Sequence, residues 1–258
     1  MRRLLALLLL STALIHGAAR SGPGPAAALF ERDWQWRLEQ YPEYATSLGE
    51  RRYNDRLTDL SLAAVRARRE HARSMLDEAR AIERAGLGAQ ERLSLDLFVF
   101  DQERQLATRA FTLVDPQALT AWDGLHVRLP RLVAQTPFAS EEDYRNYIAR
   151  LNALPGHVDG LIEQLREGVK SGWTAPKASM REVPELLRAL RKNLNEGPLG
   201  APLRRIPATI DSKLREELLA AGTAALTDSV APALRRLEEM VRSEYLPAAR
   251  ETLGASTL

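Results

Sequence analysis

The chain has 258 residues, 45% of them hydrophobic and 27% charged, so it can bury a substantial core and has an ordinary composition for a globular protein. It contains no cysteine, which excludes a disulfide framework, thiol catalysis, thiolate metal sites and a cysteine-linked lipid anchor. The formal net charge is only +2. Such a balance gives no electrostatic reason to expect nucleic acid or an anionic membrane as a partner.

The first 19 residues have the pattern of a secretory signal peptide. Arg2 and Arg3 precede an apolar run that begins at Leu4, and small residues follow at positions 17–19. The run falls short of the roughly 20 residues of a transmembrane helix, although an uncleaved anchor remains the alternative. Cleavage would remove two of the 36 basic side chains and none of the 34 acidic ones, which leaves a neutral mature protein.

We therefore expect an exported protein, periplasmic or secreted, with no stable membrane insertion after cleavage. The segment 20–28 contains SGPGPAAA and is predicted to be a flexible spacer, because glycine and proline interrupt regular structure. Residues 29–258 are predicted to form a helical region.

Apolar residues recur at helical spacing along nearly the whole region, and no segment alternates convincingly as a strand. Ser61 and Ser140 are suited to cap helices. The Pro155-Gly156 pair is expected to kink or break one helix, and Pro232 to kink the last. We predict an all-α architecture of long, mostly antiparallel helices with kinks at prolines. The predicted helices cover residues 26–46, 62–84, 89–108, 141–172, 179–195 and 211–253, with short helices and loops over 111–138.

Within the helix at 89–108, four apolar side chains are expected to face the core. They are Leu93, Leu97, Phe100 and Leu106.

No motif for catalysis or metal binding is found in this sequence. His16 lies in the predicted signal peptide, and His71, His126 and His157 are at least 31 residues apart, without an HExxH arrangement. Neither a G-x-S-x-G elbow, an S-x-x-K pair nor a Walker A loop is present. The sequence therefore assigns no catalytic, cofactor-binding or metal residue, and no cofactor to this chain.

Three further groups of residues are more simply explained by structure than by chemistry. The adjacent pairs Glu216-Glu217 and Glu238-Glu239 point in different directions on a helix and are predicted to be solvated. The polar turn with Asn54, Asp55, Arg56 and Asp59 forms either an ordered corner or the lining of a cleft, and the corner is favoured. The tryptophans are expected at the core or its edge, with a ligand platform as the alternative. They are Trp34, Trp36, Trp122 and Trp173.

Several segments in order resemble a bacterial family known as domain of unknown function 885. They are WRLEQYPEYATSLG, RYNDRLTDLS, ERLSLDLF, WDGLHVRLPRLVAQTPF, EEDYRNYIARLNALP, REGVKSGWTAP and EYLPAARETLG. The resemblance implies a mostly helical, often exported protein grouped with gluzincin-like zinc metallopeptidases. Members carry an HExxPGH-type zinc motif and a later glutamate ligand in a C-terminal half, and neither is present here.

Two hypotheses follow. In the first, the chain is the N-terminal helical region of a zinc metallopeptidase-like protein, forms helical walls around a substrate cleft and is not catalytic by itself. Its partners would be a peptide substrate or the missing C-terminal half, and zinc is expected only with that half. In the second, the chain is a complete periplasmic binding module without enzymatic activity.

Overall fold

A computed structural model describes residues 24–108 and 118–254, and over these ranges it contains helices and loops but no strand. The predicted all-α class is confirmed. The helices are α1 Pro25–Gln40, α2 Pro42–Ser47, α3 Leu62–Ala81, α4 Ala89–Thr108, α5 Leu125–Gln135, α6 Glu141–Ser171, α7 Lys177–Met180, α8 Val183–Lys192, α9 Ser212–Ala224, α10 Ala231–Met240 and α11 Leu246–Ala248. No described helix is long and apolar enough to cross a membrane.

The boundaries follow local signals, with one difference at the start. α1 begins at Pro25, so the last residues of the predicted spacer are helical, because proline is favoured in the first turn of a helix. Pro42 separates α1 from α2, and α2 is followed by Gly49, whose φ of 83° suits glycine. The predicted signal peptide lies outside the described residues.

The helix α6 is the longest element, with 31 residues, and Pro155 does not break it. Its start is fixed by a capping box, in which Ser140 Oγ accepts from the Asp143 amide and the Asp143 carboxylate accepts from the Ser140 amide. Of the two outcomes expected at Pro155-Gly156, a kink or a break, the break is wrong. Leu154 and Val158, on either side of the proline, are fully buried, and this packing holds the helix together despite the lost hydrogen bond.

The last helix runs from Ser212 to Ala248 and contains two π-helical segments, Ala225–Val230 and Val241–Tyr245. Each segment lies just before a proline, Pro232 or Pro247. Proline has no amide hydrogen, so the carbonyl four residues earlier loses its hydrogen-bond donor. A π-helical turn is one way in which a helix accommodates this loss. A kink was predicted at Pro232, and the structure has a π-helical segment directly before it.

The helices surround two hydrophobic cores. The main core joins α5, α6, α8 and the last helix, and a smaller one, with Leu29, Met75 and Leu95, joins α1, α3 and α4. α3 and α4 are antiparallel, as the ion pairs of Arg80 with Glu103 and of Arg84 with Asp96 show.

α6 and the last helix, in contrast, run parallel. Three contacts advance in the same direction along both helices: Asn152 with Ser229, Asp159 with Arg236, and Arg166 with Glu244. The segment with α7 and α8, which connects α6 to the last helix, brings the chain back to the end at which α6 begins.

The predicted core face of α4 is wrong for three of its four residues, while the fourth, Leu106, is half-buried. Leu93, Leu97 and Phe100 are 52%, 60% and 63% exposed, whereas Leu95 is fully buried. This helix is apolar on two opposite sides, so the helical spacing of its apolar residues does not indicate which side is buried.

Candidate functional site

The polar turn at residues 50–61 is ordered by Arg150, which lies on α6 and is only 2% exposed. Its guanidinium donates to the carbonyl oxygens of Pro42, Tyr53 and Arg56 and to Thr46 Oγ1, at 2.5 to 3.3 Å. Thr46 Oγ1 in turn donates to Oδ1 of the buried Asn54 at 2.7 Å. Burial lowers the pKa of Arg150 to about 10, and Glu43 and Asp55 partly offset this by favouring the charged form.

The rest of the turn is held by hydrogen bonds between side chains and backbone groups. The Asp59 carboxylate accepts from the Ser61 amide at 2.8 Å, and the Asp59 carbonyl accepts from Arg68 at 2.8 Å. Asp55 is exposed and lies 3.7 Å from Arg56. The four polar residues singled out in the sequence therefore form an ordered corner. Arg150, which organises it, was not identified, because its partners are 94 or more residues away and mostly backbone.

The described histidines lie in three separate environments. His71 Nε2 lies 2.9 Å from Asp33 Oδ1, His126 Nε2 lies 3.2 Å from the Ala121 carbonyl, and His157 Nδ1 lies 2.8 Å from the Thr58 carbonyl. Burial lowers the pKa of His157, so this ring is neutral at pH 7 and Nδ1 donates. Among residues 24–108 and 118–254 there is no group of three or more His, Cys, Asp or Glu side chains placed to hold a metal.

A pocket of about 410 Å³ lies between α1, α3 and α4, and we call it the α1–α4 pocket. The Trp36 and His71 rings stack in it, with centroids 3.5 Å apart and planes at 9°. Asp33 is buried beside them and binds both His71 and Arg37. The full lining is Asp33, Trp36, Arg37, Tyr41, Tyr44, Arg68, His71, Ala72, Asp101, Gln102, Arg104 and Gln105.

The charges of the α1–α4 pocket are paired within the chain. Arg37 joins Asp33 and Asp101 at 3.1 Å each. The Asp33 carboxylate thus lies within hydrogen-bond distance of both Arg37 and His71. Arg68 lies over the Tyr41 ring, 5.6 Å from its centroid. The aromatic and guanidinium groups of the pocket therefore contact one another.

An open groove of about 700 Å³ runs between α6 and the last helix, and we call it the α6–α10 groove. Its buried apolar lining is Leu62, Ile162 and Met240. The remaining lining is charged or polar and comes from both helices: Asp159, Glu163, Arg166, Glu167, Lys170, Arg236, Glu239, Ser243 and Glu244.

Two ion pairs cross the α6–α10 groove. Arg236 donates through Nε and Nη2 to Asp159, and Arg166 donates through Nε and Nη2 to Glu244 at 2.7 and 2.8 Å. The hydrogen bonds from Arg166 lower the pKa of Glu244. Glu163 accepts from the Leu62 amide at 2.9 Å and so fastens the start of α3 to α6. The groove thus has an apolar base and polar walls.

Two further expectations for single residues need correction. Glu216 and Glu217 are exposed as predicted, but Glu238 is 3% exposed and binds Arg188 and Arg191 on α8. Trp122, expected at the core edge, is 86% exposed, because the loop that carries it is fixed by backbone bonds such as that from the Ala121 amide to the Ser179 carbonyl.

Comparisons with known proteins agree with this geometry. A solved structure of a protein described as a lipoprotein, from Colwellia psychrerythraea, superposes on 87% of this chain with a TM-score of 0.79 and 16% identity. The likeness shows a shared fold. This chain covers only 42% of that protein's length. No curated protein matches the sequence.

A family model matches most of the chain. It is described as bacterial protein of unknown function, DUF885, and it matches residues 42–257. The matched range includes the Arg150 corner, α4, α6 and the whole of the last helix. The chain therefore belongs to the DUF885 family.

Proposed function

We propose that this chain forms one wall of a substrate cleft in an exported, zinc-metallopeptidase-like protein, and that it does not catalyse hydrolysis by itself. One observation carries the proposal: the chain has the fold of a much longer protein but covers only 42% of it. The zinc motif HExxPGH, which the family resemblance implies, would then lie in the part that this chain does not match.

The α6–α10 groove supports the role of a cleft wall. Its volume of about 700 Å³ lies within the range of ligand sites in proteins. The apolar base of Ile162 and Met240 would contact side chains of a peptide, and the charged walls would contact its polar groups. The ion pairs Asp159–Arg236 and Arg166–Glu244 fix the separation of the two helices and so preorganise the groove.

Export is the second part of the proposal. The pattern of residues 1–19 supports it, since arginines, an apolar run and small residues follow in the order of a signal peptide. The description of the Colwellia protein as a lipoprotein fits the same route. N-terminal sequencing of the protein recovered from the periplasm of a producing cell would test this, with a start at Arg20 expected.

The catalytic part of the proposal is tested by zinc content and hydrolysis. We expect purified, untagged residues 20–258 to hold no stoichiometric zinc and to leave fluorogenic peptides intact. Zinc held by His71, His126 or His157, together with chelator-sensitive hydrolysis, would contradict the proposal. The DNA that follows the codon for Leu258 gives an independent check: an open frame that reaches HExxPGH is the expected result.

The alternative is a stand-alone binding module, and the α1–α4 pocket favours it. This pocket of about 410 Å³ is built entirely from described residues of this chain and contains the stacked Trp36 and His71 rings. A ligand there would perturb the fluorescence of Trp36. A screen of small aromatic and carboxylate compounds by tryptophan fluorescence, with Trp36→Phe as the matched control, separates the two functions.

A further inference from the structure

The helix α4 has two opposite apolar sides, and residues 24–108 and 118–254 cover only one of them. Leu95 is fully buried in the smaller core, beside Leu29 and Met75. Leu93, Leu97 and Phe100 occupy the opposite side at the spacing i, i+4, i+7, which places them in one stripe along the helix. We call them the α4 stripe. A helix with apolar stripes on two opposite sides is suited to a position between two layers of protein.

The charges that border the α4 stripe are already paired within the chain. Asp96 binds Arg84, Glu103 binds Arg80, and Asp101 binds Arg37 and Arg104. An occupant of the stripe therefore need not supply charges of its own. The chemistry that fits is an uncharged apolar surface, such as the buried face of an amphipathic helix.

A second copy of this chain fits the stripe poorly. A stable interface between separate proteins uses about 20–30 residues a side, whereas the stripe offers three large side chains. So small a patch cannot compensate for the translational and rotational freedom lost when two molecules associate. Within one polypeptide this cost is largely absent, because the linked segment is present at a high effective concentration.

We propose that the α4 stripe is the surface on which the remaining part of the family fold docks, through the apolar face of a helix. The proposal rests on the proposed function, in which this chain is one part of a longer protein. One support is that this chain covers only 42% of the Colwellia protein. The other is the stripe itself, whose three side chains are each more than half exposed and whose neighbouring charged residues form ion pairs within the chain.

The test compares the same substitutions in two proteins of one fold. In this chain, Leu97→Gln with Phe100→Gln is expected to change Tm by less than about 2 °C, because both side chains are exposed. In the full-length Colwellia protein, glutamines at the two aligned positions are expected to lower Tm by about 4 °C or more, because they would be buried there. Leu95→Ala and its aligned counterpart are the matched control and should lower Tm in both proteins.

Two results would overturn the proposal. One is an unchanged Tm of the full-length Colwellia double variant alongside a lowered Tm of its control, since that stripe would then be open in the long protein too. The other is a dimer of this chain by light scattering that Leu97→Gln with Phe100→Gln converts to a monomer, since a second copy would then be the occupant. Zinc content of the unmodified Colwellia protein is measured in parallel. Its absence would count against the proposed function and leave the docking result intact.

Discussion

Arg150 Nη2 lies 2.5 Å from Thr46 Oγ1, a residue 104 positions earlier in the chain, and this contact joins α6 to α2, the helix before the corner. The guanidinium has no carboxylate among its hydrogen-bond partners; backbone carbonyl oxygens take that place. Together with the hydrogen bonds from His157 to the Thr58 carbonyl and from Gln164 to the Leu60 carbonyl, this buried cation holds the corner against α6.

Replacing this cation is expected to destabilise the whole fold. Arg150→Ala should lower the free energy of unfolding by about 3 kcal/mol, because four hydrogen-bond acceptors around the guanidinium lose their donor. Urea denaturation followed by circular dichroism measures this. Arg145→Ala is the control on the same helix: its exposed ion pair with Glu141 should be worth less than about 1 kcal/mol. Equal effects of the two substitutions would contradict the organising role of Arg150.

Two glycines of α6 should respond in opposite directions to alanine. A Cβ atom at Gly160 would lie 2.7 Å from the Ser61 backbone nitrogen and 2.8 Å from the Leu60 carbonyl carbon, so Gly160→Ala should lower the free energy of unfolding by about 1–3 kcal/mol. At Gly156 nothing lies within 4 Å, and Gly156→Ala should stabilise by up to about 1 kcal/mol through helix propensity. Thermal unfolding of both variants checks the pair. A stabilised Gly160→Ala would mean that the corner is not packed against α6.

The comparison of sequence with structure separates local from long-range signals. The caps Ser61 and Ser140 were predictable, because a cap and the amide it accepts from lie within three residues of each other. The continuity of α6 through Pro155 was not predictable from the sequence, because it depends on packing against segments that are distant in the chain.

The same distinction explains the errors at single residues. Glu238 and Glu239 look alike in the sequence, and only the position of α8 decides that Glu238 is buried against arginines. Leu95 and Leu97 are likewise identical residues on a helix with two apolar sides. The family was recognisable from short segments, but the α1–α4 pocket combines Asp33, His71 and Asp101 from three helices and needed the fold.

Tyr245, near the end of the last helix, is expected to fasten the segment before α7. Its hydroxyl oxygen accepts from the Ala175 amide at 2.7 Å, and both groups are buried. Tyr245→Phe leaves that amide without its acceptor and should cost about 1–3 kcal/mol of unfolding free energy. Tyr44→Phe, at a ring that is 49% exposed, should be close to neutral. Hydrogen exchange of the Ala175 amide gives the specific readout, since slow exchange in Tyr245→Phe would show that another group protects it.

The last prediction concerns pH and the carboxylate of Glu238. Burial by itself would raise its pKa, but the hydrogen bonds from Arg188 and Arg191 outweigh burial and lower the pKa below the ordinary value of 4.5. A carboxyl group with a lowered pKa in the folded state binds protons more tightly when unfolded. Its contribution to stability is therefore present above about pH 4.5 and is lost as the pH falls through the lower folded-state pKa.

Glu238→Gln should accordingly lower the free energy of unfolding at pH 7 by about 2 kcal/mol, since a neutral amide cannot replace a carboxylate between two guanidinium groups. The loss should shrink as the pH falls through the lowered folded-state pKa of Glu238, because the native carboxylate then becomes protonated. The adjacent Glu239→Gln is the matched control, because Glu239 is exposed, and it should change stability little at either pH. Urea denaturation of the three proteins at pH 7 and pH 3 decides the matter. If the difference in unfolding free energy between the native protein and Glu238→Gln is the same at both pH values, the ion pairs with α8 do not stabilise the ionised carboxylate.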